Sequence, residues 1–331
     1  MRFVQSLGPY VVLERIAEGG VGEVFRGRKM GAAGFEKEVA LKLVRPELAR
    51  SAEGIQGLID EAKLSARLTH GSIAQTLDLL QVGEDWVVVQ ELVDGVDLLQ
   101  LGRSLVRHER RLGLDECVYI AKQVLLALDF VHRLTGADGT VLGLMHCDIA
   151  PANVMVNLGG EVKLIDFGTA RGSHLADVEG AYAGGKIRYR APEQMRGEAF
   201  DLRADLYSLG VLLWELLAGE RVYEGYELEE ILRAVGNGAL PNILELRPDI
   251  PEELATVVHR ATHPDPHYRY PQAAAFARAL EDQSIGRDAS RCCRVLSEIV
   301  GAVQQERRSQ RPAPRLVSVA EDRSLEDALG L

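Results

Sequence analysis

The chain reads as an α+β protein of two lobes, a β-rich N-terminal lobe followed by a mainly helical one. Residues 10–92 hold short runs of strand-like residues, alternating or continuously apolar, punctuated by glycine and proline. From residue 94 onward apolar residues instead recur at helical spacing. No internal repeat interrupts that order.

Each element follows from its own stretch. "YVVLERIAEGGVGEVFRGRK" reads as strand, glycine turn and strand, and "KEVALKLVRP" as a third strand ended by Pro46. Residues 53–68 place Ile55, Leu58, Ile59, Ala62 and Ala66 on one helix face. "DWVVVQELV" (85–93) is continuously apolar at its centre, as a buried strand is. "LDECVYIAKQVLLALDFVHRL" (114–134) is a helix beginning after Gly113. "RADLYSLGVLLWELLAG" (203–219) is apolar nearly all round and ends on glycine, which predicts a core helix. The expected boundaries are an N-terminal lobe over 1–93, a C-terminal lobe over 94–283, and a last segment over 284–331. That segment predicts an amphipathic helix with residues 295, 296, 299, 300 and 303 on one face, then an Arg- and Pro-containing tail. Its residues 287–315 carry seven Arg against Asp288, Glu298 and Glu306, a local charge of +4. A peripheral helix with a solvated tail and an autoregulatory or docking segment both fit.

Bulk properties exclude several classes. The 331 residues suffice for two lobes with real cores, and 47% apolar with 26% charged residues describes a soluble globular chain. A net charge of −11 argues against general binding of nucleic acid or anionic membrane. The strongly apolar stretch "LGVLLWELLA" (209–218) is too short to span a bilayer, and the N-terminus lacks the apolar core of a signal peptide. The four cysteines show no metal spacing, and adjacent Cys292 and Cys293 are poorly placed to bridge, so a reduced cytoplasm is expected.

Four motifs carry chemistry. In "AEGGVGEV" (17–24), Gly19, Gly20 and Gly22 let backbone N–H groups approach phosphates. The following residues alternate as a strand and no G-K-[ST] is present, so a phosphate-covering hairpin fits better than a dinucleotide or Walker loop. An ordinary glycine hairpin is the plain alternative. In "VALK" (39–42), Lys42 ends an apolar strand, where an ammonium is costly unless paired, and Glu61 on the next helix offers the partner. A snorkelling lysine is the alternative there. In "HCDIAPANVMV" (146–156), Asp148 and Asn153 sit five apart before an apolar run. In "KLIDFGTAR" (163–171), Asp166 follows an apolar strand and precedes Gly168; with Asn153 it offers hard oxygen ligands for Mg²⁺.

In this order the motifs resemble the protein kinases of the bacterial eukaryotic-like (Hanks) serine/threonine type, over about residues 10–280. The resemblance implies a protein-kinase-like two-lobed fold that transfers the γ-phosphate of Mg·ATP to protein Ser/Thr hydroxyls. It implies that Gly19, Gly20 and Gly22 cover the phosphates, and that Lys42 contacts them while paired with Glu61. Asp148 would accept or orient the hydroxyl proton, and Asn153 and Asp166 would hold Mg²⁺. For adenine it implies a roof of Ile16, Val24 and Ala40, a floor at Met155 and a hinge over Glu91–Val93. Gln90 falls at the gatekeeper position and Asp97 within reach of the ribose. Taken singly, most of these apolar residues would be core in any fold. "APE" stands whole at 191–193. Asp205 resembles the helix Asp that braces the catalytic loop, and Arg269 the Arg that pairs with Glu193.

Four positions depart from the family. Ala17 replaces the first glycine of the loop. Cys147 replaces the Arg of H-R-D, which in the family grips a phosphorylated activation loop; here that loop offers Thr169, Ser173, Tyr182 and Tyr189. Ala150 replaces a Lys that contacts the transferring phosphate, a loss worth about 10²-fold in rate. Lys186 stands where these kinases carry a Thr beside the catalytic Asp, and is expected to supply the displaced charge to the γ-phosphate or to Asp148, with a solvent-facing lysine as the plain alternative. The rival reading is a nucleotide-binding pseudokinase acting as scaffold or allosteric partner. Small-molecule phosphorylation is weaker, because "APE" and Arg269 suit a protein-substrate platform. The expected partners are a protein substrate and, through a C-terminal helix over about 288–305, the kinase body, a second copy or a regulator. No nucleic acid or membrane is expected.

Overall fold

Period-two alternation at the N-terminus builds the sheet it predicts. The computed structural model describes residues 6–18, 22–44, 52–167, 186–283 and 285–310. Among them β1 (Ser6–Leu7), β2 (Tyr10–Glu18), β3 (Gly22–Met30), β4 (Glu36–Val44), β5 (Thr76–Val82) and β6 (Asp85–Glu91) form one sheet in the order β1-β2-β3-β4-β6-β5. Every neighbouring pair is antiparallel. One face is a core of Tyr10, Val39, Leu41, Val87 and Val89. Successive strand residues point to opposite faces, so Ala40 and Lys42 lie on the other side. There Lys42 stands in register with Val24 on β3 and Val88 on β6. Helix α1 (Ala52–Ser65) carries Glu61 and buries Ala62.

The described residues fall into two compact units. One holds this sheet and α1, together with the end of the C-terminal helix from Glu306; the other comprises His70–Ile73 and Asp94–Gln305. The chain passes from one to the other at Val93 and Asp94.

In the second unit β7 (Gly95–Asp97), β8 (Val154–Asn157) and β9 (Val162–Leu164) make a small antiparallel sheet. Helices follow as α2 (Leu98–Arg107), α3 (Leu114–His132), α4 (Pro192–Met195), α5 (Arg203–Ala218), α6 (Leu228–Asn237), α7 (Ile243–Leu246), α8 (Glu252–Ala261), α9 (Ala273–Glu281) and α10 (Ala289–Gln310). Helix α5 is buried on nearly every side, as its all-round apolarity predicts, and stops on Gly219 at φ 74°. Helix α3 packs against both α5 and α9.

Helix α10 seats on this second unit. It buries Cys292, Leu296, Val300 and Val303, while Val295 and Ile299 stay half-buried, so the buried stripe is turned relative to the one expected. Arg291 pairs with Asp115 at 2.6 Å, Ser297 Oγ donates to the Leu158 carbonyl at 2.6 Å, and Gln304 Nε2 donates to Asp94 Oδ1 at 3.1 Å. The turn between β8 and β9 must be glycine here. Gly160 sits at φ 80°, and a Cβ on it would fall 1.8 Å from the Cys293 carbonyl oxygen.

Burying a Leu or Val side chain contributes about 1.5–3 kcal/mol. A chain ending at Asp288 is therefore expected to lose several kcal/mol of stability, read as a lower Tm by calorimetry. An unchanged Tm would show that α10 only rests on the surface.

Candidate active site

The site is built from a buried carboxylate outward. Asp205, in the first turn of α5, is 1% exposed. Its Oδ2 accepts the His146 N–H at 2.8 Å and faces His132 Nε2, at the end of α3, at 2.9 Å; its Oδ1 accepts the Cys147 N–H at 2.7 Å. Burial alone would raise its pKa. The hydrogen bond and charge of His132 and the His146 N–H outweigh it and hold Asp205 below the ordinary carboxylate range. Two consecutive N–H groups turned to one carboxylate go with a backbone excursion: Cys147 lies at φ 61°.

His146 passes this order on. It is fully buried, and its Nδ1 accepts the Asp148 N–H at 3.3 Å. That assigns the ring proton to Nε2, which faces the Ile165 carbonyl at 3.1 Å. The ring meets Phe167 edge-on at 4.6 Å. One imidazole thus fixes both the loop that carries Asp148 and the strand exit that carries Asp166.

Asp148 is partly exposed, and its two oxygens differ. Oδ2 accepts from Asn153 Nδ2 at 2.7 Å and from Lys186 Nζ at 2.6 Å. Oδ1 takes neither bond. Asn153 closes the 3₁₀ turn Pro151–Asn153, and its Nδ2 also donates to the Asp148 carbonyl at 2.7 Å. With the amide nitrogen so committed, Asn153 Oδ1 is the atom left for a cation. The Ile165 N–H donates to the Asn153 carbonyl at 2.9 Å, which ties the two segments together, and Asp166 follows at φ 61°. This donor set fits Mg²⁺, which takes hard oxygens, one or two from protein and the rest from water and phosphate. Among the described residues no cluster of three or more His, Cys, Asp or Glu could hold a metal by itself.

Lys186 opens the 3₁₀ turn Lys186–Tyr189, and that turn is firmly held. Arg188 Nη1 donates to the carbonyls of Val222 at 2.6 Å and Tyr223 at 2.7 Å. The Tyr189 hydroxyl donates to Glu215 Oε2 at 2.8 Å. Burial raises the Glu215 pKa despite that bond, the Val222 N–H and the nearby arginines. Just beyond, Glu193 and Arg269 form a two-pronged pair at 2.7 Å on each side, with side chains 4% and 0% exposed. Tyr189 is therefore corrected as a phosphorylation candidate, because it is buried and its hydroxyl is already donated. Thr169, Ser173 and Tyr182 lie outside the described residues, as do Gly19 and Gly20.

Residues 10–280 match the protein kinase domain family. The chain belongs to the protein kinase family. It is 36% identical over 279 residues to the tyrosine-protein kinase MasK of Myxococcus xanthus, covering 84% of this chain and 43% of that one. It is 30% identical over 262 residues to the probable serine/threonine-protein kinase PknB of Lactococcus lactis, covering 79% and 40%. Among solved structures it resembles the PknI kinase domain of Mycobacterium tuberculosis, with a TM-score of 0.64 and 28% identity over 84% of this chain and 98% of that one. The chain thus spans about two fifths of the length of the curated relatives named.

The remaining residues expected to serve the kinase are placed as follows. Val24, Ala40 and Lys42 share the face of the sheet opposite its core, and Ile16 lies in a bulge between Arg15 and Ala17. Gly22 opens β3, Gln90 pairs with Ala40, and Glu91 Oε2 accepts the Gln75 N–H at 3.2 Å. Val93 is buried. Met155 stands between buried Val154 and Val156, so it points to the other side of β8. Asp97 has a structural task the sequence reading did not assign: it caps α2, Oδ1 accepting the Gln100 N–H at 2.7 Å and Oδ2 the Gln100 side-chain amide. Cys147 is no nucleophile, since burial and then the Asp205 charge push its thiol pKa up. His132 and Glu215 were missed. An acid inside the apolar run "LLWELLAG" was the available signal for Glu215, because a buried carboxylate needs partners.

Asp205→Asn is expected to destabilise the chain by about 3–5 kcal/mol, as when one partner of a buried pair is removed. A depressed carboxylate contributes stability that is complete above about pH 5 and is lost as pH falls toward the folded pKa. Acid titration of stability should show that slope in the unsubstituted chain and less of it in the variant. Equal slopes would contradict the assignment.

Proposed function

We propose that the chain transfers the γ-phosphate of Mg·ATP to protein Ser/Thr hydroxyls. The observation that carries this is Asp148, held through Oδ2 by Asn153 while Oδ1 takes no bond from the described residues, on a loop braced by Asp205. In this reading Ile16, Val24, Ala40 and Met155 enclose adenine, Glu91 and Val93 present backbone groups to it, and Asp97 lies toward the ribose. Gly19, Gly20, Gly22 and Lys42 would bind the phosphates, with Glu61 pairing the lysine. Asn153 and Asp166 would hold Mg²⁺, which neutralises charge on the phosphate oxygens when bound. The acceptor oxygen forms its bond to γ-phosphorus while the bond to the β–γ bridging oxygen breaks. The electron pair leaves with ADP and the hydroxyl proton passes to Asp148 Oδ1. Catalysis is then positioning and electrostatics.

Joint retention of the base, both oxygen ligands and Lys42 weighs against the pseudokinase alternative. The buried Glu193–Arg269 pair supports a fixed platform for a protein acceptor over a small molecule. PknB is named a serine/threonine kinase, which supports Ser/Thr; the more similar MasK is named a tyrosine kinase and favours Tyr as the second reading. The cytoplasm is the proposed location, supported by free thiols at Cys117, Cys147, Cys292 and Cys293. No helix among the described residues is long and apolar enough to cross a membrane. A second copy or regulator would act through the C-terminal segment, where Gln304 bonds Asp94 just after the hinge residues.

Incubation with Mg·ATP and a generic basic protein should label the chain itself or the acceptor. Asp148→Asn should reduce labelling at least about 10²-fold, the usual contribution of general acid–base catalysis. ATP binding with no transfer to any acceptor would favour the scaffold. Phosphoamino-acid analysis decides the acceptor class, and phosphotyrosine alone would replace Ser/Thr by Tyr. Since Cys147 offers a phosphate no cation, phosphatase treatment is expected to leave the rate little changed; abolition restored by a phosphomimetic would refute this.

A further inference from the structure

The catalytic loop His146–Asn153 contains no Lys or Arg, and Ala150 within it is buried at 1% exposure. The positive charge at the base comes from elsewhere, through Lys186 Nζ at 2.6 Å from Asp148 Oδ2. We propose that Lys186 is a catalytic residue that contacts the transferring phosphate, so that this kinase carries the cation on its activation segment instead of its catalytic loop. The inference rests on the kinase reading above.

Three features support it. The pair is not a buried structural bridge: the side chains are 33% and 28% exposed, and partly exposed pairs contribute little to stability. It also leaves the base usable, because Lys186 and Asn153 share Oδ2 and neither touches Oδ1. Finally, the lysine is aimed. The turn that begins with it is fastened by Arg188 to two carbonyls and by Tyr189 to Glu215. As the acceptor oxygen attacks γ-phosphorus and its proton moves to Oδ1, the ammonium stays protonated and offsets negative charge on the phosphoryl oxygens. A lysine suits this as a mobile point charge on a long stem. Arg188, Tyr189 and Glu215 are then positioning residues for it.

The test uses the full chain, with Asp148→Asn as control. Lys186→Ala should lower kcat about 10²-fold, the loss typical of one transition-state donor. Equilibrium titration in Mg²⁺ should show weaker ATP binding and unchanged ADP binding, because ADP lacks the γ-phosphate. Lys186→Arg should keep most of the rate and Lys186→Gln should not, which separates charge from packing even if the alanine variant folds poorly. Tyr189→Phe should lower kcat in the chain carrying Lys186 and have no further effect on top of Lys186→Ala. A folded Lys186→Ala with unchanged kcat, a faster one, or equal losses for ATP and ADP would overturn the proposal while leaving the kinase reading intact. An unsubstituted chain that transfers nothing would overturn both.

Discussion

The Asp205 carboxylate is the interaction on which the site depends. A charge this deeply buried is tolerable only when its oxygens are met by donors, and the fold brings three, from the end of α3 and from two consecutive residues of the catalytic loop. Satisfying it fixes His146 and bends the chain at Cys147. His146 in turn holds the Asp148 N–H and faces the Ile165 carbonyl, so order runs from a helix terminus to both acids of the site. Removing the carboxylate would strand two buried N–H groups at once, a larger penalty than losing a surface bond.

Two ion pairs show how burial separates structural from chemical work. Glu193–Arg269 is sealed, two-pronged and surrounded by carbonyls that Arg269 also satisfies, those of His263, Pro264 and Arg203. Such a pair has one good geometry and fixes where α4 stands relative to the 3₁₀ turn Pro266–Tyr268. Lys186–Asp148 is wet on one side, and a substrate phosphate could draw the ammonium away without leaving either charge buried and alone. The first pair is sealed in one arrangement; the second is open to another partner.

Much of this was legible in the sequence. The strand over 39–42 was legible in its apolar run, and the period of two then turns Val39 and Leu41 to one face and Lys42 to the other. The all-round apolarity of 203–218 could mean only a core helix. Asp148, Asn153 and Asp166 were legible through order and spacing, and the Lys186 contact through the coincidence of two departures. What escaped depended on tertiary partners. Asp97 reads as a polar residue near a hinge until Gln100 is seen to need a cap. Tyr189 reads as an available hydroxyl until Glu215, 26 residues on, is seen to accept from it. The stripe of α10 turned toward Cys292 and Leu296 because the seat, a glycine turn at Gly160, admits the helix backbone itself at Cys293.

The turn Lys186–Tyr189 at the end of the activation segment is held without phosphate. A phosphate-gripping arginine fixes such a segment by charge, and that charge is absent at 147, where a thiol kept neutral by burial stands instead. The end of the segment is nonetheless secured by contacts that involve no phosphate: two carbonyls accept from Arg188, and Glu215 accepts from Tyr189. Those anchors lie within three residues of Lys186, so the turn that is fastened is the turn that carries the lysine. With the turn fastened from the α5 side, no phosphate is needed to place Lys186 Nζ against Asp148 Oδ2.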